Sequence, residues 1–292
     1  MTIYTLSHGS LKLDVSDQGG VIEGFWRDTT PLLRPGKKSG VATDASCFPL
    51  VPFANRVSGN RFVWQGREYQ LQPNVEWDAH YLHGDGWLGE WQCVSHSDDS
   101  LCLVYEHRSG VYHYRVSQAF HLTADTLTVT LSVTNQGAET LPFGTGWHPY
   151  FPLSPQTRIQ AQASGYWLER EQWLAGEFCE QLPQELDFNQ PAPLPRRKCR
   201  RSSRHTPMFS AFAAPPGLRL RVTPRGKVFP ASAPCRSASG NTARSAPARR
   251  SATPAAKRIS MGRIWIAFEI SSFWVSFPGA GADMRKRANR YI

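Results

Sequence analysis

From Thr126 to Thr134 the chain reads Thr-Leu-Thr-Val-Thr-Leu-Ser-Val-Thr, apolar and hydroxyl side chains alternating for nine residues, and then meets a turn at Asn135-Gln136-Gly137. Successive side chains of a strand point to opposite faces of a sheet, so period two describes a strand with one buried face. The same reading makes strands of Leu101 to Tyr105 and Tyr112 to Leu122. It also makes a hairpin of Arg61-Phe62-Val63-Trp64 and Arg67-Glu68-Tyr69-Gln70-Leu71, reversed at Gln65-Gly66, where glycine permits the turn. No stretch before Pro155 offers a long amphipathic helix. Hairpins without intervening helices predict an all-β fold, a large antiparallel β-sandwich. A chain of 292 residues is long enough to bury such a core as one large domain.

The formal net charge of +10 invites a nucleic-acid or membrane reading until its distribution is seen. Residues 1–195 carry 12 Lys+Arg and 21 Asp+Glu, a net of −9, whereas residues 196–292 carry 21 and 2, a net of +19. The basic character therefore belongs to the tail, which opens on Arg196-Arg197-Lys198-Cys199-Arg200-Arg201-Ser202-Ser203-Arg204 and continues in Arg, Ser, Ala and Pro with little periodicity. Such text cannot bury enough apolar surface to order itself, so the expected division is a sandwich over 1–195 and an irregular basic tail over 196–292. One apolar run, Ile264 to Phe277, is too short to span a bilayer as a helix; it is either a stray strand or an aggregation hazard. Two explanations of the tail compete. It is either a genuine basic arm or out-of-frame translation of a GC-rich gene, to which the abrupt change of texture points. Nucleic-acid binding would rest on this charge alone and ranks last among the functional readings.

The first residues lack a cationic region followed by an apolar run, and nowhere do about 18 apolar residues occur in succession, so a soluble cytoplasmic protein without a membrane partner is expected. Cys47, Cys93, Cys102, Cys179, Cys199 and Cys235 form no C-x-x-C pair and are expected to be free buried thiols.

Chemistry concentrates in three segments. In Leu141-Pro142-Phe143-Gly144-Thr145-Gly146-Trp147-His148-Pro149-Tyr150-Phe151-Pro152, one histidine stands among glycines, aromatics and prolines, its ring oriented by rigid neighbours. It is a candidate proton-transfer group. Pro52-Phe53-Ala54-Asn55-Arg56-Val57 supplies a planar guanidinium able to grip adjacent hydroxyls. Leu82-His83-Gly84-Asp85-Gly86-Trp87 supplies a second histidine beside Trp87 and Trp91, whose rings could stack on the apolar face of a pyranose. The competing reading of each is structural: a core histidine satisfied by a carbonyl, a solvated arginine, a packed aromatic loop. His80 and His83 have H-x-x-H spacing, but the following glycines disfavour a helical metal face and no Cys or carboxylate pattern completes a ligand set; no metal is expected. There is no P-loop and no G-x-G-x-x-G between strand and helix, so no nucleotide cofactor is expected either.

Asn55-Arg56, Leu82-His83-Gly84 and His148-Pro149-Tyr150-Phe151, in this order and spacing, resemble the aldose 1-epimerase (galactose mutarotase) family over roughly two thirds of the chain. The resemblance implies a galactose mutarotase-like supersandwich with a sugar cleft on one concave sheet, a free hexose as small-molecule substrate, and no cofactor. It implies that His148 protonates the ring oxygen as general acid, that His83 assists there, and that Arg56 binds the sugar; Asn55 beside Arg56 and Trp87 beside His83 are further candidate substrate contacts. A late glutamate should act as base. The tail offers Glu269, in Ala267-Phe268-Glu269-Ile270, apolar-flanked as a base of raised pKa would be, but without the proline that usually follows the family's glutamate. The expectation is an anomer-interconverting isomerase. The alternative is a carbohydrate-binding protein of the same fold without turnover, and a positioned carboxylate discriminates the two. Arg56, His83 and His148 should then converge on one surface lined by aromatics such as Trp87 and Trp147.

Overall fold

The computed structural model describes residues 1–152, 158–160 and 165–193 and, beyond them, 221–223, 259–260, 263–264, 268–269 and 272–276. Two antiparallel sheets build the sandwich. The first contains β1 (Ile3–His8), β2 (Leu11–Ser16), β3 (Ile22–Arg27), β5 (Cys47–Leu50), β12 (Gly146–Pro149) and β20 (Phe268–Glu269) in that spatial order, with β4 (Thr30–Pro31) paired to β3. The second runs β21 (Ser272–Ser276), β11 (Thr126–Asn135), β10 (Tyr112–Leu122), β9 (Ser100–Ser109) and β8 (Gln92–His96). The hairpin β6 (Arg61–Trp64) and β7 (Arg67–Gln70) forms as expected, with Gln65 and Gly66 both at positive φ, the geometry that matches strand twist in a two-residue turn. Smaller antiparallel groups join β13 (Arg158–Gln160) to β16 (Ala192–Pro193) and β17 (Arg221–Thr223), β14 (Tyr166–Glu169) to β15 (Ala175–Cys179), and β18 (Ile259–Ser260) to β19 (Arg263–Ile264).

Period two explains the core. Along β10, Tyr112, Tyr114, Val116, Gln118, Phe120 and Leu122 are buried, while the residues between them are half-buried or exposed. On β11, Leu127, Val129 and Leu131 face the same interior. They meet Leu11, Leu13, Phe25, Cys47 and Trp147 from the first sheet. At about 25 cal/mol per Å² of apolar surface, each fully buried side chain of this kind stabilises the sandwich by roughly 1.5–3 kcal/mol. The polar exception, Gln118, is satisfied twice: its amide donates to the Gly20 carbonyl (2.7 Å) and accepts the Trp147 indole N–H (2.7 Å).

A smaller apolar cluster, with Phe48, Leu50, Ala54, Leu82, Trp87 and Tyr150, lies on the other side of β5 and β12. The first sheet is thus covered on both faces where these strands run, and its second cover is the loop chain between Val51 and Trp91.

Of the apolar run Ile264 to Phe277, β20 pairs with β12 and β21 pairs with β11, which is the strand alternative. The arginine run 196–204 lies outside the described residues. Among the described cysteines Cys47 and Cys102 are buried, but Cys179 is half-buried and Cys93 exposed. The expectation of buried thiols fails at Cys93 because β8 is an edge strand whose five residues are all exposed. No helix among the described residues is long and apolar enough to cross a membrane.

Candidate active site

Strand alternation decides which side chains of β5 and β12 reach the site. Cys47 and Trp147 point into the main core; Phe48 packs in the smaller cluster, and His148 lies opposite it in register. The His148 ring stacks on Phe48 with centroids 4.6 Å apart and planes 14° from parallel, and lies 5.1 Å from Tyr150. Tyr150 is covered in turn by the Arg34 guanidinium, 3.7 Å over its ring and bonded to the Thr43 carbonyl (3.0 Å) and the Ala45 carbonyl. Only 5 % of His148 is exposed. Its ring orientation is therefore fixed by aromatic neighbours on a rigid sheet.

The loops over this face bring the other residues to it. Val51 bridges Gly84, Phe53 bridges Gly144, and Arg56 bridges Leu82. Asn55 and His83 both have positive φ, +69° and +60°, an uncommon state for non-glycine residues that persists where surrounding contacts over-determine it. Those contacts are reciprocal. The Asn55 N–H donates to Nδ1 of His83 (2.9 Å), and the His83 N–H donates to the Asn55 carbonyl (2.9 Å). Gly84, at φ +69°, is required by close approach, since a Cβ there would lie 2.0 Å from the Val51 carbonyl oxygen.

This anchoring sets the protonation of His83. An Nδ1 that accepts a backbone N–H carries no proton, so the neutral ring holds its hydrogen on Nε2. Burial, and then the neighbouring His148 and Arg56, hold the pKa of His83 well below the usual 6.5. His83 is thus a neutral hydrogen-bond donor near pH 7. Its ring stands edge-on to that of His148, with centroids 5.7 Å apart.

Arg56 is braced by a partner the sequence reading missed. Its Nε and Nη2 both donate to Oδ2 of Asp78, at 2.8 and 2.6 Å, with side chains only 13 % and 4 % exposed. The other carboxylate oxygen of Asp78 accepts the His80 N–H (3.0 Å). Asp78 is one of three carboxylates between Arg56 and His83, with Glu68 and Glu76, and nothing in the sequence singles it out. Across the guanidinium lies the ring of Trp173, 5.0 Å from Cζ. The H-x-x-H pair has separate partners: Nε2 of His80 meets Oε1 of Gln172 at 2.7 Å, whereas Nδ1 of His83 accepts the Asn55 N–H.

The tryptophans are arranged otherwise than expected. Trp147 faces the core and Gln118, because it is one residue out of phase with His148. Trp91 is buried in the same core and donates to the Gly86 carbonyl (2.8 Å). Trp87, 4 % exposed, donates to the carbonyls of Leu82 (3.2 Å) and Gly84 (2.8 Å), stacks on Phe48 at 5.5 Å and meets the His83 ring edge-on at 6.1 Å. It holds the turn that carries His83. Asn55 is wholly buried and meets His83 through its backbone. The backbone of Glu269 lies in β20, directly opposite Gly146 and so two positions along β12 from His148.

Arg56, His83 and His148, separated by up to 92 positions in sequence, are gathered on one aromatic-backed face of the first sheet, and the family profile described as aldose 1-epimerase matches residues 2–207. The chain belongs to the aldose 1-epimerase family. It is also 30% identical over 105 residues to the uncharacterized protein YihR of Escherichia coli K12, a match covering 35% of this chain and 34% of that protein. Among solved structures, the fold is similar to a GalM/aldose epimerase homologue from C. elegans (TM-score 0.56, 15% identity, 66% of this chain and 65% of that one). It is likewise similar to a galactose 1-epimerase from Lactobacillus acidophilus NCFM (TM-score 0.53, 16% identity, 63% and 59%). The match thus spans about a third of the length of the curated relative and under two thirds of these structures. At such identities the structural likeness concerns the fold, an all-β, galactose mutarotase-like sandwich.

Proposed function

We propose that this member of the family interconverts the α and β anomers of a free hexose. The observation that carries the reading is the T-shaped pair of His83 and His148 beside Arg56. Two imidazoles 5.7 Å apart, one held neutral as an Nε2–H donor, divide the work at a single sugar oxygen. His83 orients and polarises the ring oxygen; His148 delivers the proton. Arg56, kept rigid by Asp78, grips neighbouring hydroxyls, and the base at the anomeric hydroxyl is a carboxylate for which Glu269 is the candidate in this chain.

The chemistry balances without a cofactor. The base removes the proton of the anomeric hydroxyl, the bond between the anomeric carbon and the ring oxygen breaks, and the ring oxygen takes the proton from His148. The product is the open-chain aldehyde. Rotation about the bond between the first two carbons presents the other carbonyl face, and reclosure returns both protons to their donors in the other anomer. Acid and base must act together because neither a free alkoxide nor a protonated ether is accessible near neutral pH.

Polarimetry of freshly dissolved α-D-glucose tests the proposal. The parent protein should speed equilibration, and His148→Asn should lower that turnover by about 10²- to 10⁴-fold while sugar affinity changes little. Equal turnover in variant and parent would remove His148 from the mechanism. Sugar binding with no acceleration by the parent would favour the carbohydrate-binding alternative.

A further inference from the structure

We propose that Trp173 is a specificity-determining residue, the wall against which the apolar face of a bound pyranose packs; the inference rests on reading the Arg56–His83–His148 face as a sugar site. Trp173 sits at the tip of the β14–β15 hairpin, which closes through the Arg170 N–H to the Leu174 carbonyl (2.8 Å). The tip reaches across to the loops that carry the site. Gln172 bonds His80, and Trp173 lies over Arg56.

Both tip residues have left-handed backbone, φ +58° at Gln172 and +57° at Trp173. Neither is glycine, so the turn holds an uncommon backbone state that its contacts across the molecule must offset. A hairpin tip needing only to reverse would place Gly or Asn there. This one instead presents a large ring, 40 % exposed, beside a guanidinium that is 13 % exposed and already neutralised by Asp78. The chemistry of that edge suits a sugar. A pyranose offers hydroxyls at its rim and C–H groups on its faces; the rim hydroxyls meet Arg56, and the weakly positive C–H face meets the negative face of the indole. Epimers that turn a hydroxyl axial on that face would lose the contact, which makes Trp173 a selector among hexoses.

NMR titration with D-glucose and D-galactose, using parent, Trp173→Ala and Trp173→Phe, tests the assignment. Trp173→Ala should weaken binding of the preferred sugar by about three- to tenfold and narrow the preference between the two sugars. Trp173→Phe should recover most of both effects, and its tryptophan fluorescence should no longer respond to sugar as the parent's does. Unchanged affinity and unchanged preference in a folded Trp173→Ala protein would overturn the inference while leaving the proposed function intact. Failure of the parent to bind either sugar would overturn both. If Trp173→Ala does not fold, the Phe variant decides alone: an undiminished fluorescence response to sugar would contradict the stacking role.

Discussion

Gly84→Ala is the substitution whose effect the site geometry fixes most tightly. Gly84 follows His83 at φ +69°, and an added Cβ would lie 2.0 Å from the Val51 carbonyl oxygen and 2.4 Å from Cδ of Pro52. Left-handed backbone costs an L-residue about 1–2 kcal/mol. Gly66→Ala, at φ +80° in the β6–β7 turn with nothing among the described residues within 4 Å of its Cβ, should show that cost alone. At Gly84 the obstacle is backbone, which no rotamer relieves, and overpacking adds about 1–3 kcal/mol. The clash also strains the Asp85 N–H bond to Val51 (3.1 Å) and displaces the adjacent His83 from the Asn55 N–H. Gly84→Ala should therefore destabilise by about 2 kcal/mol more than Gly66→Ala, a further drop in Tm of roughly 4–8 °C. It should also impair sugar turnover, whereas Gly66→Ala should not. Denaturant melts and polarimetry on the two variants check this. Equal melting and equal turnover would refute the argument that the Val51–Gly84 contact positions His83.

His83 makes stability pH-dependent with a definite sign. Its folded pKa lies well below 6.5, so on acidification the unfolded chain takes up a proton that the native site refuses, and stability falls as pH drops below about 6.5 until the folded pKa is reached. The slope from this residue is at most about 1.4 kcal/mol per pH unit; His83→Gln should remove it, and a difference between parent and variant that stays constant from pH 7 to 5 would contradict the assignment. Gln118→Leu should destabilise by about 1–3 kcal/mol in urea melts, because the buried Trp147 N–H and the Gly20 carbonyl each lose their partner; a neutral effect would mean the bonds are dispensable. For the gene, a frame change near codon 196 should reveal an acidic, strand-patterned C-terminus containing a glutamate in apolar surroundings. Stop codons or more low-complexity text in both other frames would leave the basic arm as the explanation.

Two of the strands legible from sequence have one wet face. Tyr112 to Leu122 and Thr126 to Asn135 alternate because they belong to a sheet buried on one side only. Cys47–Leu50 and Gly146–Pro149 do not alternate, since both faces are covered, and their prolines argue against a strand. The strands carrying His148 and its stacking partner Phe48 were thus the ones pattern reading could not find. Leu11 to Ser16 does alternate, Leu-Lys-Leu-Asp-Val-Ser, and forms β2; its Asp14 carboxylate, 2 % exposed, is satisfied by the Lys38 ammonium (2.8 Å) and the Thr5 hydroxyl (2.9 Å). Site residues were legible as types, and their roles were not. That His83 is the neutral partner depends on a backbone N–H 28 positions away, and that Trp147 faces the core depends on a one-residue phase. Asp78 and Trp173 carry no pattern of their own; the fold alone brings them to Arg56.

The proposed mechanism puts two histidines on one bound sugar with His83 held neutral, and ¹⁵N NMR of histidine-labelled protein reads this at the two rings. At pH 7 His83 should show an unprotonated Nδ1 and a protonated Nε2, keep that form as the pH is lowered past its ordinary 6.5, and respond together with His148 when D-glucose or D-galactose is added. A doubly protonated His83 at neutral pH, or sugar turnover that leaves both imidazoles unmoved, would contradict the account.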